Sequence, residues 1–153
     1  MFNSIDPDEI IPNLYLGSIE AACDSRLLQS LGINIIIQVL EDPRECRVFD
    51  QFQYYQIRIG DWPTANITKY LPNAIRFIHR NLNEGKKIFV HCVAGVSRSA
   101  TIVIAYMMAL RKWEYEEAIK YVRSKRSRVA PNNGFEMQLR CIEKEMLYEA
   151  LEF

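Results

Sequence analysis

The amino-acid sequence predicts an α/β domain with a mainly parallel sheet of about four to five strands and helices on both faces. Two apolar segments, NIIIQVL (34–40) and KKIFVHC (86–92), are typical of strands that helices cover. Segments with apolar residues at helical spacing alternate with such strands along the chain. This alternation favours a parallel sheet built from strand–helix units.

Length, composition and charge limit the possible classes of protein. The chain has 153 residues, of which 49% are apolar and 25% charged, so we expect one domain spanning 1–153. Lys+Arg and Asp+Glu are equal at 19 each, which gives no overall charge to attract nucleic acid or an acidic membrane. The N-terminus lacks the pattern of a signal peptide, and the longest apolar run is too short to span a bilayer. We therefore expect neither nucleic acid nor membrane as a partner.

The first half of the chain supplies three strands and one helix. NLYLGS (13–18) is a short apolar strand, and DSRLLQSLGI (24–33) is a helix with Asp24 as its N-cap and leucines on one face. NIIIQVL (34–40) is nearly continuous in apolar residues, as a buried strand requires. FQYYQIRI (52–59) mixes apolar and polar positions and is the third strand.

The second half begins with a helix and the fourth strand. ITKYLPNAIRFIHRNLNEG (67–85) has helical spacing, and its helix should start near Lys69 because Pro72 is tolerated only in a first turn. KKIFVHC (86–92) follows as the strand. Three further helices are predicted over 98–111, 115–126 and 133–149.

The junction between the fourth strand and the next helix predicts an anion site. Cys92 stands at the C-terminal end of the strand, where open α/β sheets bind their ligands. Gly95 lets the loop 93–97 turn sharply, so that successive N–H groups converge at the N-terminus of the following helix. The planar fork of Arg98 can bind two oxygens of the same anion. These features suit a tetrahedral dianion such as phosphate.

The same surroundings predict a nucleophile. A helix N-terminus and a nearby cation favour the thiolate form, so Cys92 should be ionised at neutral pH and face the phosphorus. Ser99 can donate a hydrogen bond to the sulfur. His91 is expected to orient the loop rather than to touch the substrate.

Other chemically notable residues have structural interpretations. We expect Cys23, Cys46 and Cys141 to be small buried apolar residues. The cysteines are widely scattered without a CxxC pair, which argues against zinc and disulfides and favours the reducing cytoplasm, with the nucleus as an additional location. The basic run RSKRSR (123–128) is interpreted as a solvated helix end, with a phosphate-steering rim as the alternative.

Several segments together resemble a known family. HCVAGVSRS (91–99) resembles the His-Cys-x-x-Gly-x-x-Arg-Ser/Thr signature of the cysteine-dependent protein phosphatases. The match is nearest to the dual-specificity phosphatases in their small, atypical form without an added docking domain. IIPNLYLGSIEAACDSRLLQSLGINIIIQVL (10–40), GDWPTANITKYLPNAIRFIH (60–79) and APNNGFEMQL (130–139) resemble further parts of that family. The resemblance therefore covers nearly the whole chain.

The resemblance implies roles for the residues of the signature. Cys92 would be the nucleophile, Arg98 the phosphate clamp and Ser99 the hydroxyl that stabilises the leaving thiolate, with His91 in support. The phosphate would lie in a backbone cradle formed by Val93, Ala94, Gly95, Val96, Ser97 and Arg98. No metal and no other cofactor is implied.

The resemblance also implies a general acid and a bracing residue. Asp61 would protonate the leaving oxygen, a contribution of typically ~10²–10⁴ in rate. It is the only carboxylate between Asp50 and Glu84. Thr64 stands where the tyrosine-specific relatives have their acidic aspartate, which favours Asp61. Asn132 matches the asparagine that caps the following helix and braces the loop, although its neighbour Asn133 is an alternative.

The sequence thus predicts a metal-independent phosphatase that hydrolyses phosphotyrosine and phosphoserine or phosphothreonine in proteins through a cysteinyl-phosphate intermediate. A phosphopeptide-binding module is a second possibility, but relatives of that kind characteristically lack the cysteine. An enzyme for phosphoinositides or RNA 5′-phosphates is a third, and such relatives tend to carry Lys or His in the loop, where this chain has Val93, Ala94 and Val96. The physiological substrate and the oligomeric state do not follow from the sequence.

Overall fold

The structure, a computed structural model that describes residues 6–152, contains the predicted mainly parallel sheet. Its five strands are β1 (Asp8–Ile11), β2 (Leu14–Gly17), β3 (Ile35–Leu40), β4 (Gln53–Arg58) and β5 (Ile88–His91). They lie in the order β1-β2-β5-β3-β4, with β1 antiparallel to β2 and the other neighbours parallel. The predicted fold class is confirmed.

Seven α-helices cover the sheet within the described residues. They are α1 (Ile19–Ala22), α2 (Ser25–Leu31), α3 (Leu71–Asn83), α4 (Arg98–Arg111), α5 (Tyr115–Lys125), α6 (Asn133–Cys141) and α7 (Lys144–Ala150). The Asp24 carboxylate caps α2 as predicted, accepting the Leu27 N–H at 3.1 Å. Pro72 lies in the first turn of α3, where its missing N–H costs nothing. None of these helices is long and apolar enough to cross a membrane.

The alternation of side chains along the strands divides the core into two layers. In β3, Ile35 and Ile37 face one core together with helices α3 to α7, whereas Ile36 and Leu40 face the other together with α1 and α2. Both faces of the central strands are therefore buried, which explains their nearly continuous apolar sequence.

Helix α4 is the central helix of the larger core. Every residue from Ser99 to Ala109 is buried, so the helix is enclosed on all sides rather than on one stripe. Its N-terminus begins six residues after Cys92, beyond the carboxyl end of β5. The position and direction of the loop between them are thus fixed by two fully buried elements.

The prediction of one continuous helix over 133–149 is wrong. The chain becomes extended at Ile142 and continues as α7. Phe135, Leu139 and Ile142 are spaced by four and three residues, but the next deeply buried residue, Leu147, follows five positions later. A straight helix would rotate Leu147 about 140° away from Ile142, and the break restores both side chains to the core.

Three further differences concern the ends of the sheet and the cysteines. Strand β1 was not predicted, because an edge strand of four residues that begins with two carboxylates carries little strand signal. Helix α1, four residues long, was also missed. Cys46 is buried as expected, but Cys23 and Cys141 are exposed, so for these two the predicted burial is wrong. Cys23 follows α1 and Cys141 ends α6, where the chain turns at the surface.

Candidate active site

The loop between β5 and α4, residues 92–98, is here called the cradle loop. All six of its carbonyl groups from 92 to 97 accept a hydrogen bond from a neighbouring group outside the pocket. The pairs are Cys92 O with His91 Nδ1 (2.8 Å), Val93 O with Ile19 N (2.9 Å), Ala94 O with Arg126 Nη2 (3.2 Å), Gly95 O with Arg126 Nε (2.9 Å), Val96 O with Ala130 N (2.8 Å) and Ser97 O with Thr101 N (2.9 Å) and Oγ1 (2.7 Å).

The N–H groups of the cradle loop face the opposite way. In a trans peptide the N–H points away from the preceding carbonyl, so carbonyls drawn outward turn the next N–H groups inward. Within residues 6–152, none of the N–H groups of 93–98 donates to a protein acceptor. Unpaired backbone donors are rare in folded proteins, and a set that converges beside a helix N-terminus forms an anion site.

Gly95 is required by this arrangement. Its φ is +70°, which other residues rarely adopt, and a Cβ at this position would lie 2.5 Å from the Gly17 carbonyl oxygen and 2.7 Å from Arg126 Nη2. A side chain would therefore push the cradle loop away from β2 and from the arginine that holds it.

The pocket in front of these N–H groups has a volume of about 420 Å³. Most of the predicted site residues line it, whereas His91, Gly95 and Ser99 lie behind its walls. The lining residues are Asp61, Cys92, Val93, Ala94, Val96, Ser97, Arg98, Ala130 and Asn132. The Cys92 side chain lies at the pocket with only 3% of the residue exposed, and its sulfur is 3.0 Å from Ser99 Oγ. When the sulfur is a thiolate, the Ser99 hydroxyl must be the donor.

Arg98 is anchored at one end and free at the other. Its Nη1 donates to the Ile59 carbonyl at 3.1 Å, which fixes the guanidinium plane. Its Nε is buried without a hydrogen-bond partner in the described part of the chain. A buried, unpaired donor in the pocket wall suits the oxygen of a bound anion.

Asp61 also lines the pocket, held by two donors. Ser97 Oγ donates to Asp61 Oδ1 at 2.7 Å, and Asn132 Nδ2 donates to the same oxygen at 2.8 Å. Asn132 is also the N-cap of α6, since its Oδ1 accepts the Phe135 N–H at 2.8 Å. Asn133 is the first residue of the helix, so of the two asparagines it is Asn132 that contacts the site.

Helix α6 also positions the loop that carries Asp61. The Gln138 amide accepts from the N–H groups of Ile67 (3.0 Å) and Thr68 (3.2 Å) and donates to the Ala65 carbonyl (2.8 Å). A Cβ on Gly134 would lie 1.9 Å from the Pro63 carbonyl oxygen, which shows how closely the loop approaches the helix. The loop is thereby fixed against a helix of the core.

Arg126 is a site residue that the sequence analysis missed. Its side chain is 1% exposed and pairs with Asp6 and Asp8, at 2.9 Å each, while it donates to the carbonyls of Ala94 and Gly95. The interpretation of RSKRSR as a solvated helix end is wrong for this residue, although its neighbours are exposed. The signal was present in the spacing. The buried stripe of α5 includes Ile119 and Val122, and Arg126 continues it four residues later.

His91 supports the cradle loop as a neutral, buried ring. It is 0% exposed, stacks on Phe89 and uses its Nδ1 to bond the Cys92 carbonyl. Burial lowers the pKa of His91 to about 4. The positive charge of Arg98 also lowers this pKa, whereas the hydrogen bond to the Cys92 carbonyl and the negative charge of Asp6 raise it. Its buried Nε2 has no partner among residues 6–152, so a proton there would be an unpaired buried charge.

This pKa predicts how stability depends on pH. Between about pH 6.5 and pH 4 the unfolded chain binds a proton at His91 that the folded chain does not, so the free energy of unfolding falls as the pH falls. The loss should approach roughly 3 kcal/mol. Denaturant titrations across this range should show it, and His91→Asn should remove it. His79→Gln, at the only other histidine, should leave most of it, and a wild-type curve flat over this range would contradict the prediction.

A second prediction concerns Arg126. Arg126→Lys keeps one positive charge but cannot bond two carbonyls and two carboxylates together, so the cradle loop should lose its fixed geometry. The dissociation constant for inorganic phosphate should rise by roughly tenfold. Titration calorimetry measures this, and Arg128→Lys, at an exposed neighbour, should leave it unchanged. Equal phosphate affinity in a folded Arg126→Lys variant would show that the carbonyls do not depend on Arg126.

Comparison with known proteins adds independent evidence. The family model "Dual specificity phosphatase, catalytic domain" matches residues 14–145. The chain is 36% identical over 141 residues to dual specificity protein phosphatase 22 of Mus musculus, covering 92% of this chain and 76% of that protein. It is 38% identical over 148 residues to dual specificity protein phosphatase 1-A of Xenopus laevis, covering 96% of this chain but only 40% of that protein.

Solved structures share the fold. The crystal structure of DUSP15 superposes with a TM-score of 0.88 at 32% identity, covering 95% of this chain and 94% of that one. The human tyrosine phosphatase-like serine/threonine/tyrosine-interacting protein superposes with a TM-score of 0.82 at 38% identity. The match covers 88% of this chain and 93% of that one. With the family model matching most of its length, the chain belongs to the dual specificity phosphatase family, whose members hydrolyse phosphotyrosine and phosphoserine or phosphothreonine in proteins.

Proposed function

We propose that this chain, as one catalytic domain over 1–153, removes phosphate from tyrosine and from serine or threonine in proteins through a cysteinyl-phosphate intermediate, without a metal ion. One observation carries the proposal. The Cys92 sulfur lies at a pocket formed by unpaired N–H groups, with the free Nε of Arg98 and the carboxyl group of Asp61 in the same walls. These are the groups that phosphoryl transfer to sulfur requires.

In the first step the Cys92 thiolate attacks phosphorus. A sulfur–phosphorus bond forms while the bond from phosphorus to the ester oxygen breaks, and Asp61 gives its proton to that oxygen. The inward N–H groups and the Arg98 fork bind the remaining phosphoryl oxygens, on which charge accumulates in the transition state.

In the second step water attacks the phosphorus of cysteinyl phosphate. The ionised Asp61 takes a proton from this water, the sulfur–phosphorus bond breaks, and inorganic phosphate leaves. Ser99, 3.0 Å from the sulfur, donates a hydrogen bond to the departing thiolate. Cys92 and Asp61 then return to their initial states.

A phosphopeptide-binding module is the main alternative. One similar structure belongs to a protein described as phosphatase-like and interacting, so the fold itself does not decide between the two. The presence of Cys92, Arg98 and Asp61 around one pocket favours catalysis. Binding alone would need the cradle but neither a nucleophile nor an acid.

Phosphoinositides and RNA 5′-phosphates are less suitable substrates. The side chains of Val93, Ala94 and Val96 line the pocket and carry no charge to meet additional phosphates. Phosphorylated proteins are the proposed substrates, with neither nucleic acid nor membrane as a partner, in the cytoplasm and also the nucleus. A reducing compartment suits the four unpaired cysteines, one of which must stay a thiolate.

A third prediction tests the nucleophile. Cys92→Ser should lower turnover of an aryl phosphate by at least roughly a thousandfold, because an alcohol in the same cradle is a poor nucleophile. The assay is run with and without a chelator, which should make no difference. Cys141→Ser, at an exposed cysteine, should keep full activity. Substantial turnover by Cys92→Ser would place the nucleophile elsewhere, whereas retained phosphopeptide binding without any wild-type turnover would indicate a binding module.

A fourth prediction concerns substrate breadth. Peptides that differ only in carrying phosphotyrosine or phosphothreonine should both be hydrolysed, with phosphotyrosine faster because its phenolate is the better leaving group. The exposed side chains of Val93 and Trp62, 40% and 58% exposed, offer apolar surface to a ring near the pocket. Phosphate release from each peptide decides the matter. Activity on phosphotyrosine alone would mean that a short side chain cannot reach Cys92. A panel of phosphoinositides, tested in the same assay, compares the peptides with another class of substrate.

A further inference from the structure

We propose that the Ser97 hydroxyl, together with the Asn132 amide, determines which oxygen of Asp61 carries the catalytic proton. This inference rests on the proposed function, in which Asp61 is the general acid. Both recorded hydrogen bonds of the Asp61 carboxyl group end on Oδ1, from Ser97 Oγ at 2.7 Å and from Asn132 Nδ2 at 2.8 Å. Ser97 thereby acts as a positioning residue through its side chain, in addition to the backbone role that its place in the cradle loop implies.

The direction of each hydrogen bond is fixed by a chain of donors that begins in α6. The Phe135 N–H donates to Asn132 Oδ1 at 2.8 Å, so the other end of that amide, Nδ2, must be the donor toward Asp61. The Asn132 N–H donates to Ser97 Oγ at 2.9 Å. The Ser97 hydroxyl thus accepts one hydrogen bond from the side of α6 and donates its own proton to Asp61 Oδ1.

The acidic proton is consequently excluded from Oδ1. An oxygen that already accepts two hydrogen bonds, one from an obligate NH₂ donor, has no room for a proton of its own in the same directions. The proton therefore resides on Oδ2, which accepts no recorded hydrogen bond within the described residues. Because Asp61 lines the pocket, an Oδ2 proton is available to the leaving oxygen.

This arrangement prepares the acid before the substrate arrives. Ser97 is 7% exposed, so little water competes for its hydroxyl. Its carbonyl is held by the N–H and the hydroxyl of Thr101 at the start of α4, which fixes the residue that orients the acid. A carboxyl group held with its proton toward the reacting oxygen needs no reorientation in the transition state.

The simpler alternative is that the Ser97 hydroxyl only joins the cradle loop to the N-terminus of α6. The two roles predict different kinetics. A structural joint would affect every substrate equally, since all use the same cradle. A residue that orients the acid would matter only where the leaving oxygen needs a proton.

The experiment measures kcat/KM, which includes phosphoryl transfer to Cys92, for Ser97→Ala with aryl phosphates of increasing leaving-group basicity. The loss should be smallest for the most activated ester and should grow by about tenfold toward the least activated one. Thr101→Val is the matched control, because it removes the side-chain hydrogen bond to the Ser97 carbonyl but leaves the Ser97 hydroxyl bonded to Asp61. Any loss in Thr101→Val should be equal across the series.

Two further variants keep the test decisive. In an Asp61→Asn background, Ser97→Ala should cause no additional dependence on the leaving group, because Ser97 acts through the acid. Asn132→Ser, which keeps a helix-capping side chain and the backbone N–H but loses the Nδ2 donor, should reproduce the graded loss even if Ser97→Ala does not fold.

A loss in Ser97→Ala that is equal for all esters, or one that persists in full without Asp61, would overturn the inference while leaving the proposed function intact. If Asp61→Asn itself shows no dependence on the leaving group, the assignment of the acid is wrong, and the inference fails with it.

Discussion

The site depends on the cradle loop, whose N–H groups have no protein acceptor in the described part of the chain. Such donors would normally find acceptors, and the loop would rotate its peptides to let them do so. Here every carbonyl from 92 to 97 is bonded on the outer side, so no peptide can rotate without losing a hydrogen bond. The partners come from α1, α4, β5 and the chain after α5. Much of the fold thereby serves to hold one loop.

Arg98, which ends the cradle loop, and Arg126, which holds it, differ in whether a carboxylate neutralises their charge. Arg126 is buried and paired with Asp6 and Asp8, so it contributes geometry while its charge is largely neutralised. Within residues 6–152, Arg98 has no carboxylate partner and its Nε has no hydrogen-bond acceptor. Its charge is available to a bound dianion. Arg126 thus keeps the cradle loop rigid, and Arg98 gives it a positive charge.

The sequence sufficed where the signal is local. Cys92, Gly95, Arg98 and the helix after them are contiguous, so strand, turn and helix patterns were enough to indicate an anion site. Asp61 is distant from Cys92 along the chain. It was predicted as the general acid because few carboxylates compete with it and because the family resemblance implies it. Four of the five strands, most helices and the α2 cap also follow from spacing and from known helix signals.

The missed features are those that only long-range contacts create. The spacing along α5 indicates that Arg126 is buried, but its partner Asp6 lies 120 positions earlier, and no local pattern connects the two residues. The role of the Ser97 hydroxyl depends on Asp61 and Asn132 meeting from two separate segments. The break before α7 arises because a straight continuation of α6 would turn Leu147 away from the core that both helices share. Local patterns carry no information on such meetings.

The central claim, covalent transfer of phosphate to Cys92, is tested most directly by trapping the intermediate. The enzyme is mixed with excess aryl phosphate and quenched in acid within one turnover, and its peptides are analysed by mass spectrometry. The account predicts one added phosphoryl group on the peptide that contains Cys92, absent from Cys92→Ser and longer-lived in Ser99→Ala. A phosphoryl group on another residue, or none at any time during rapid turnover, would contradict it.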